Sequence, residues 1–142
     1  MIENIILACT NLVAVFSIVS YAQRGYGLQA WAIFGAALAS FWYHLIECHN
    51  HDMPGIGIFT SKRDHDIFIN IDRAMAIFAI VVCIMPLKTI NVFALMLAVL
   101  ALMALITSEL LPDRYSPPNR QWIHVISHSV WHIFVFTIPL VL

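Results

Sequence analysis

QWIHVISHSVWHIFVFTIPLVL, residues 121–142, is apolar almost throughout, yet it carries His124, His128 and His132 at intervals of four. A helix needs a run of about 20 apolar residues to cross a bilayer. Titratable groups inside such a run are costly in hydrocarbon, so they are rarely there by accident. On a helix, residues i and i+4 share one face. Neighbouring members of the series can therefore grip one metal ion. His124 and His132 together cannot, because eight residues rise about 12 Å.

The rest of the chain fits a membrane setting. It has 142 residues, 61% of them hydrophobic and only 11% charged, with a mean hydropathy of +0.86. A soluble domain averages about 25% charged residues, so this chain lacks the polar side chains to cover its own surface. The net charge of −1 and the pI near 6.6 argue against nucleic-acid binding. Cys9, Cys48 and Cys83 are odd in number and show no C-x-x-C spacing, which points to neither a disulfide framework nor a zinc ribbon. The opening MIENIILACT has no basic stretch before its apolar run, which predicts a retained span rather than a cleaved signal peptide.

Five spans are predicted, at about 2–22, 27–47, 66–86, 89–110 and 121–142, in one all-α transmembrane domain covering 1–142. Arg24 and Gly25 end the first span and Gly27 opens the second. Pro86 and Lys88 mark a short turn, and Pro112, Pro117 and Pro118 fill the last loop, where helix does not continue. The side bearing the N-terminus also bears Lys62, Arg63, Arg114 and Arg120, against Arg24 and Lys88 on the other. The positive-inside rule then places the N-terminus in the cytosol.

That sidedness gathers the polar residues. Ser40 and His44 close the second span, Asp72 lies about two turns into the third, and the histidine series enters the fifth, all from one side. Catalytic zinc typically takes three protein ligands and keeps a fourth position for water, whose pKa falls toward about 7. His128 and His132 supply a rigid pair, and His44 is the natural third ligand. Asp72 is placed to accept or orient the water's proton. Ser40, one turn before His44, is placed to donate to an oxyanion. The chemistry would be metal-assisted hydrolysis of a carbonyl bond in a lipid, with the substrate entering from the bilayer.

Each residue also has an ordinary reading. His44 alone suits a hydrogen-bonded packing residue, Asp72 an ion pair with Arg73, and Ser40 helix packing. Arg73 suits snorkelling to the interface. His49, His51 and His65 suit a solvated loop, with His49 and His51 as a secondary metal pair in the alternative. Glu109 reads as an interfacial carboxylate, and His124 as an interfacial residue or an outer partner of the metal ligands. Gly35, Ala36, Ala39 and Ser40 form a small-residue face suited to close helix packing, including packing of a second copy of the chain. Turning Ser40 toward a metal competes with that use.

Taken in order, Ser40 and His44 as S-x-x-x-H, Asp72 in the next span, and His128 and His132 as H-x-x-x-H resemble the CREST superfamily of membrane hydrolases. SFWYH at 40–44, DMPG at 52–55 and HSVWHI at 128–133 are most similar to its transmembrane protein 8 and myomaker-like branch. The resemblance covers about 40–86 and 120–142. It implies Zn2+ as cofactor, His44, His128 and His132 as ligands, Asp72 and Ser40 beside the water and the substrate carbonyl, and His124 outside the triad. It implies hydrolysis of an amide or ester bond in a ceramide-like or acylated lipid. It also implies seven spans where this sequence offers five, and a shorter 44–52 loop. Longer members add a soluble domain that this sequence does not show. A membrane-fusion or scaffolding protein with structural zinc is the alternative that this branch favours. A proton or metal transporter fits less well, since the far leaflet is nearly empty of ionisable residues.

Overall fold

The computed structural model describes residues 2–46, 62–87, 91–110 and 118–142; for 62–65, 109 and 118–121 it describes the backbone alone. The DMPG element, His49, His51, Cys48 and Arg114 lie outside these residues, as do the side chains of Lys62, Arg63, His65, Glu109 and Arg120. Among the described residues there is no strand. The elements are α1 (Ile2–Thr10), α2 (Ala14–Gln23), α3 (Gly27–Ile46), α4 (Lys62–Ile84), α5 (Val92–Leu110) and α6 (Pro118–Val141).

α1 and α2 form one rod interrupted by a 3-10 turn at Asn11–Val13. Local side-chain chemistry sits at the break. Thr10 Oγ1 donates to the Leu7 carbonyl at 2.6 Å, and Asn11 Nδ2 donates to the carbonyls of Leu7 and Ala8 at 3.3 and 3.4 Å. Side chains that bond nearby carbonyls compete with the regular helix ladder. The rod ends at Gly25, which holds φ +82°, a left-handed conformation that glycine adopts without Cβ strain. Gly25 N–H donates to the Ala22 carbonyl and Tyr26 N–H to the Tyr21 carbonyl, the paired bonds of a Schellman cap. Arg24 lies 5.3 Å from the ring centres of both Tyr21 and Tyr26 at this corner.

Later boundaries follow the same local rules. Asn91 caps α5, its Oδ1 accepting from Phe93 N–H at 2.8 Å. α6 begins at Pro118, where a proline's missing N–H breaks no helix bond. α4 starts earlier than the apolar pattern predicts, because Lys62–Asp66 extends the helix with polar residues.

α3 packs along both the first rod and α4, and α6 packs along both α5 and the first rod. α3 meets α4 closely at Gly35, where a Cβ would run into the terminal methyl of Met75. Ala32 and Ala36 of α3 and Ala79 and Val82 of α4 fill the rest of that seam. Gly35 and Ala36 of the small-residue face therefore pack on α4, while Ser40 turns to His132 of α6.

Polarity is distributed inside out relative to a water-soluble domain. Asn4, Asn11, Ser17, Ser40, His44, Ser108, His124 and His132 are buried. Phe16, Trp31, Ile77, Met85, Val92 and Leu110 are largely exposed. Three helices are long and apolar enough to cross a membrane: Ile2–Gln23, Asp66–Ile84 and Trp122–Val141. The other two predicted spans fall short of that standard. The apolar part of α5, Val92–Ser108, is shorter. α3 has 20 residues, but Gln29, Trp31, Trp42, Tyr43 and His44 dilute its hydropathy.

Candidate metal centre

α3 and α6 bring His44, His128 and His132 together. One ring nitrogen from each lies within 4.8 Å of the others. The ring centres are 4.8 Å apart for His44–His128, 5.0 Å for His44–His132 and 4.8 Å for His128–His132. His44 is 1% exposed and His132 2%, while His128 is half-buried. The pair on α6 follows from i, i+4 spacing on a continuous helix. The third ring arrives because α3 and α6 both pack against the first rod.

A buried three-histidine group of this kind can hold a metal ion. Tetrahedral zinc at about 2.0–2.1 Å from each nitrogen needs nitrogens roughly 3.4 Å apart. The rings would close by about an ångström or more, a small side-chain rotation. The donor set is imidazole only, which suits zinc and also copper, iron and nickel.

The histidines have partners on several elements. Thr10 Oγ1 lies 2.7 Å from His132 Nδ1. Ser40 Oγ lies 3.3 Å from His132 Nε2. Ser108 Oγ lies 3.3 Å from His128 Nδ1 and donates to the Leu105 carbonyl at 2.7 Å. His124 Nδ1 donates to the Ser108 carbonyl at 2.9 Å, and its ring centre is 5.3 Å from that of His128. His124 thus stacks beside the triad without joining it. Thr10 and Ser108 were not among the residues singled out from sequence. A lone hydroxyl in an apolar helix carries no signal until its neighbours are known.

A cavity of about 620 Å³ opens beside the triad, lined by α3, α4, α5 and α6. Ser40, Asp72, His124, His128 and His132 all reach its wall, and most of the remaining lining is aliphatic. Asp72 shares the cavity with the histidines without belonging to their nitrogen cluster. Arg73 lines the same cavity and is exposed. Chemically, the arrangement offers a three-nitrogen metal site, a carboxylate and a hydroxyl at the edge of an apolar chamber.

The uncharacterized protein L282 of Acanthamoeba polyphaga mimivirus is 31% identical to this chain over 147 residues, which cover 94% of this chain and 91% of the viral protein. The chain belongs to that protein's family. No family model matches the sequence, and no solved structure matches it.

Proposed function

We propose that this chain is an integral membrane protein that uses a three-histidine zinc centre to hydrolyse a lipid amide or ester. The membrane reading is supported by the outward apolar faces and the buried polar residues, since hydrocarbon is the solvent that favours this distribution. In this reading α3 and α5 also sit within the bilayer, with apolar side chains such as Leu28, Trp31, Leu95 and Met103 facing the lipid, and the N-terminus is cytosolic.

The observation that carries the enzymatic reading is the shared cavity. His128, His132, Asp72 and Ser40 reach the wall of one largely aliphatic chamber large enough for an acyl chain. Zinc, when bound, supplies Lewis acidity and a water acidic enough to react near neutral pH. The chain's own groups have separable roles. His44, His128 and His132 hold the ion. Asp72 takes the proton from the attacking water at a carboxylate oxygen and passes it to the leaving amine or alcohol. Ser40 Oγ donates to the carbonyl oxygen as negative charge develops there. The aliphatic wall holds the lipid chain and excludes bulk water. The order and spacing of these residues resemble the CREST hydrolases, consistent with an amide or ester of a ceramide-like or acylated lipid as substrate.

The test is metal content of the purified protein together with turnover of ceramides and acylated lipids. About one zinc per chain, with turnover lost in Asp72→Asn but zinc retained, supports the hydrolase. A second reading, structural zinc in a fusion or scaffolding protein, is favoured by the near-complete burial of His44 and His132. It requires zinc to be present, Asp72→Asn to be silent, and loss of a ligand to unfold the bundle.

A further inference from the structure

The hydroxyls of Thr10 and Ser108 stand in equivalent relations to two of the three histidines. Each contacts a ring Nδ1, Thr10 that of His132 and Ser108 that of His128. Each also donates its single proton to a carbonyl three residues earlier in its own helix, Leu7 or Leu105. A hydroxyl has one donor and two acceptor lone pairs. With the proton committed, the oxygen faces the ring as an acceptor. The ring must then donate, so the proton of a neutral imidazole sits on Nδ1 and the lone pair on Nε2. Ser40 completes the pattern at the other end of His132. Its hydroxyl lies 3.3 Å from Nε2, and with the proton on Nδ1 it would donate to that lone pair in the zinc-free protein; an ion on Nε2 would free the hydroxyl proton for the substrate carbonyl.

From this geometry we propose that Thr10 and Ser108 are positioning residues of the metal centre. They hold His132 and His128 as Nδ1–H tautomers, so that both rings meet the ion through Nε2. This rests on the metal-centre reading above and adds two residues from helices that contribute no ligand. It also gives a purpose to the 3-10 break that follows Thr10. A hydrogen bond to the second nitrogen of a ligating histidine fixes ring orientation and raises basicity, and its loss typically weakens metal affinity 10–100-fold.

The experiment compares zinc affinity, by competition with a chromophoric chelator, for purified full-length wild type, Thr10→Val, Thr10→Ser and Ser108→Ala. The 15N chemical shifts of the imidazoles are recorded with and without zinc. Wild type is expected to show Nδ1–H histidines before zinc and coordination through Nε2 after it. Thr10→Val, which keeps the shape and removes the oxygen, is expected to weaken zinc binding 10–100-fold, and Thr10→Ser to restore it. Ser108→Ala is expected to weaken binding in the same direction by less, given its longer contact. A purely structural role for Thr10 would change zinc-free stability and leave zinc affinity and the tautomer unmoved. Wild-type zinc binding with unchanged affinity in Thr10→Val, or coordination through Nδ1, overturns the assignment and leaves the metal centre standing. Failure of the wild type itself to bind zinc overturns both.

Discussion

Zinc should stabilise this bundle measurably, because the proposed ligands lie on two helices with most of the chain between them. A ligand that binds only the folded state stabilises it by RT ln(1 + [L]/Kd), about 2.7 kcal/mol at a hundredfold excess over Kd. The inward closure of the rings from within 4.8 Å costs part of the intrinsic binding energy. A ring held about 30° from its rotamer costs on the order of 1 kcal/mol, which raises Kd roughly fivefold to tenfold. The cost therefore appears in the zinc concentration required, and the stabilisation at a fixed multiple of Kd stays the same. For domains of this length each kcal/mol moves Tm by roughly 3–4 °C, so a rise of about 10 °C is expected. The assay is thermal unfolding in detergent across a zinc titration, for wild type, His132→Ala and His124→Gln. His132→Ala should abolish the rise, and His124→Gln should keep it because His124 lies outside the triad. An equal rise in wild type and His132→Ala would refute the centre as drawn. A rise abolished by His124→Gln and kept by His132→Ala would move the site one turn along α6.

Substitutions at three further positions probe the frame that holds the site. Gly25→Ala forces a Cβ into a left-handed conformation and should cost about 1–2 kcal/mol, read as a lower unfolding midpoint with unchanged helix content. Gly35→Leu over-packs the α3–α4 seam against Met75 and should cost about 1–3 kcal/mol, whereas Gly35→Ala needs only the methionine tip to shift; thermal melts of the pair separate the two. Ser17→Ala removes the buried bond from Ser17 Oγ to the Phe136 carbonyl that ties the first rod to α6, and should cost about 1 kcal/mol by the same assay.

Much of this architecture is legible in the sequence, for reasons that can be named. Helices are expected wherever long apolar runs lie between proline and glycine punctuation, and Gly25 ends the first rod as anticipated, whereas Pro118, read as loop, opens α6. The His128–His132 pair is readable because four-residue spacing has one geometric meaning on a helix. His44 is readable only by arguing sidedness, since nothing local distinguishes a ligand from a packing histidine. The contacts of Thr10 and Ser108 are illegible because they depend on which rings lie opposite them. The number of spans is a different matter. Length and hydropathy single out three helices, whereas five were expected, because Gln29, His44 and the aromatic residues of α3 lower its hydropathy and the apolar run of α5 is short.

The dispersal of the site along the chain has a consequence for biosynthesis. Thr10 emerges from the ribosome first, Ser40 and His44 next, Ser108 later, and His128 and His132 last. No portion of the nascent chain short of α6 holds more than one of the three proposed ligands, so a bound ion would not nucleate folding early as it does in a zinc finger. The complete three-histidine site would form only when α6 has docked, and its full occupancy would then report that assembly is finished.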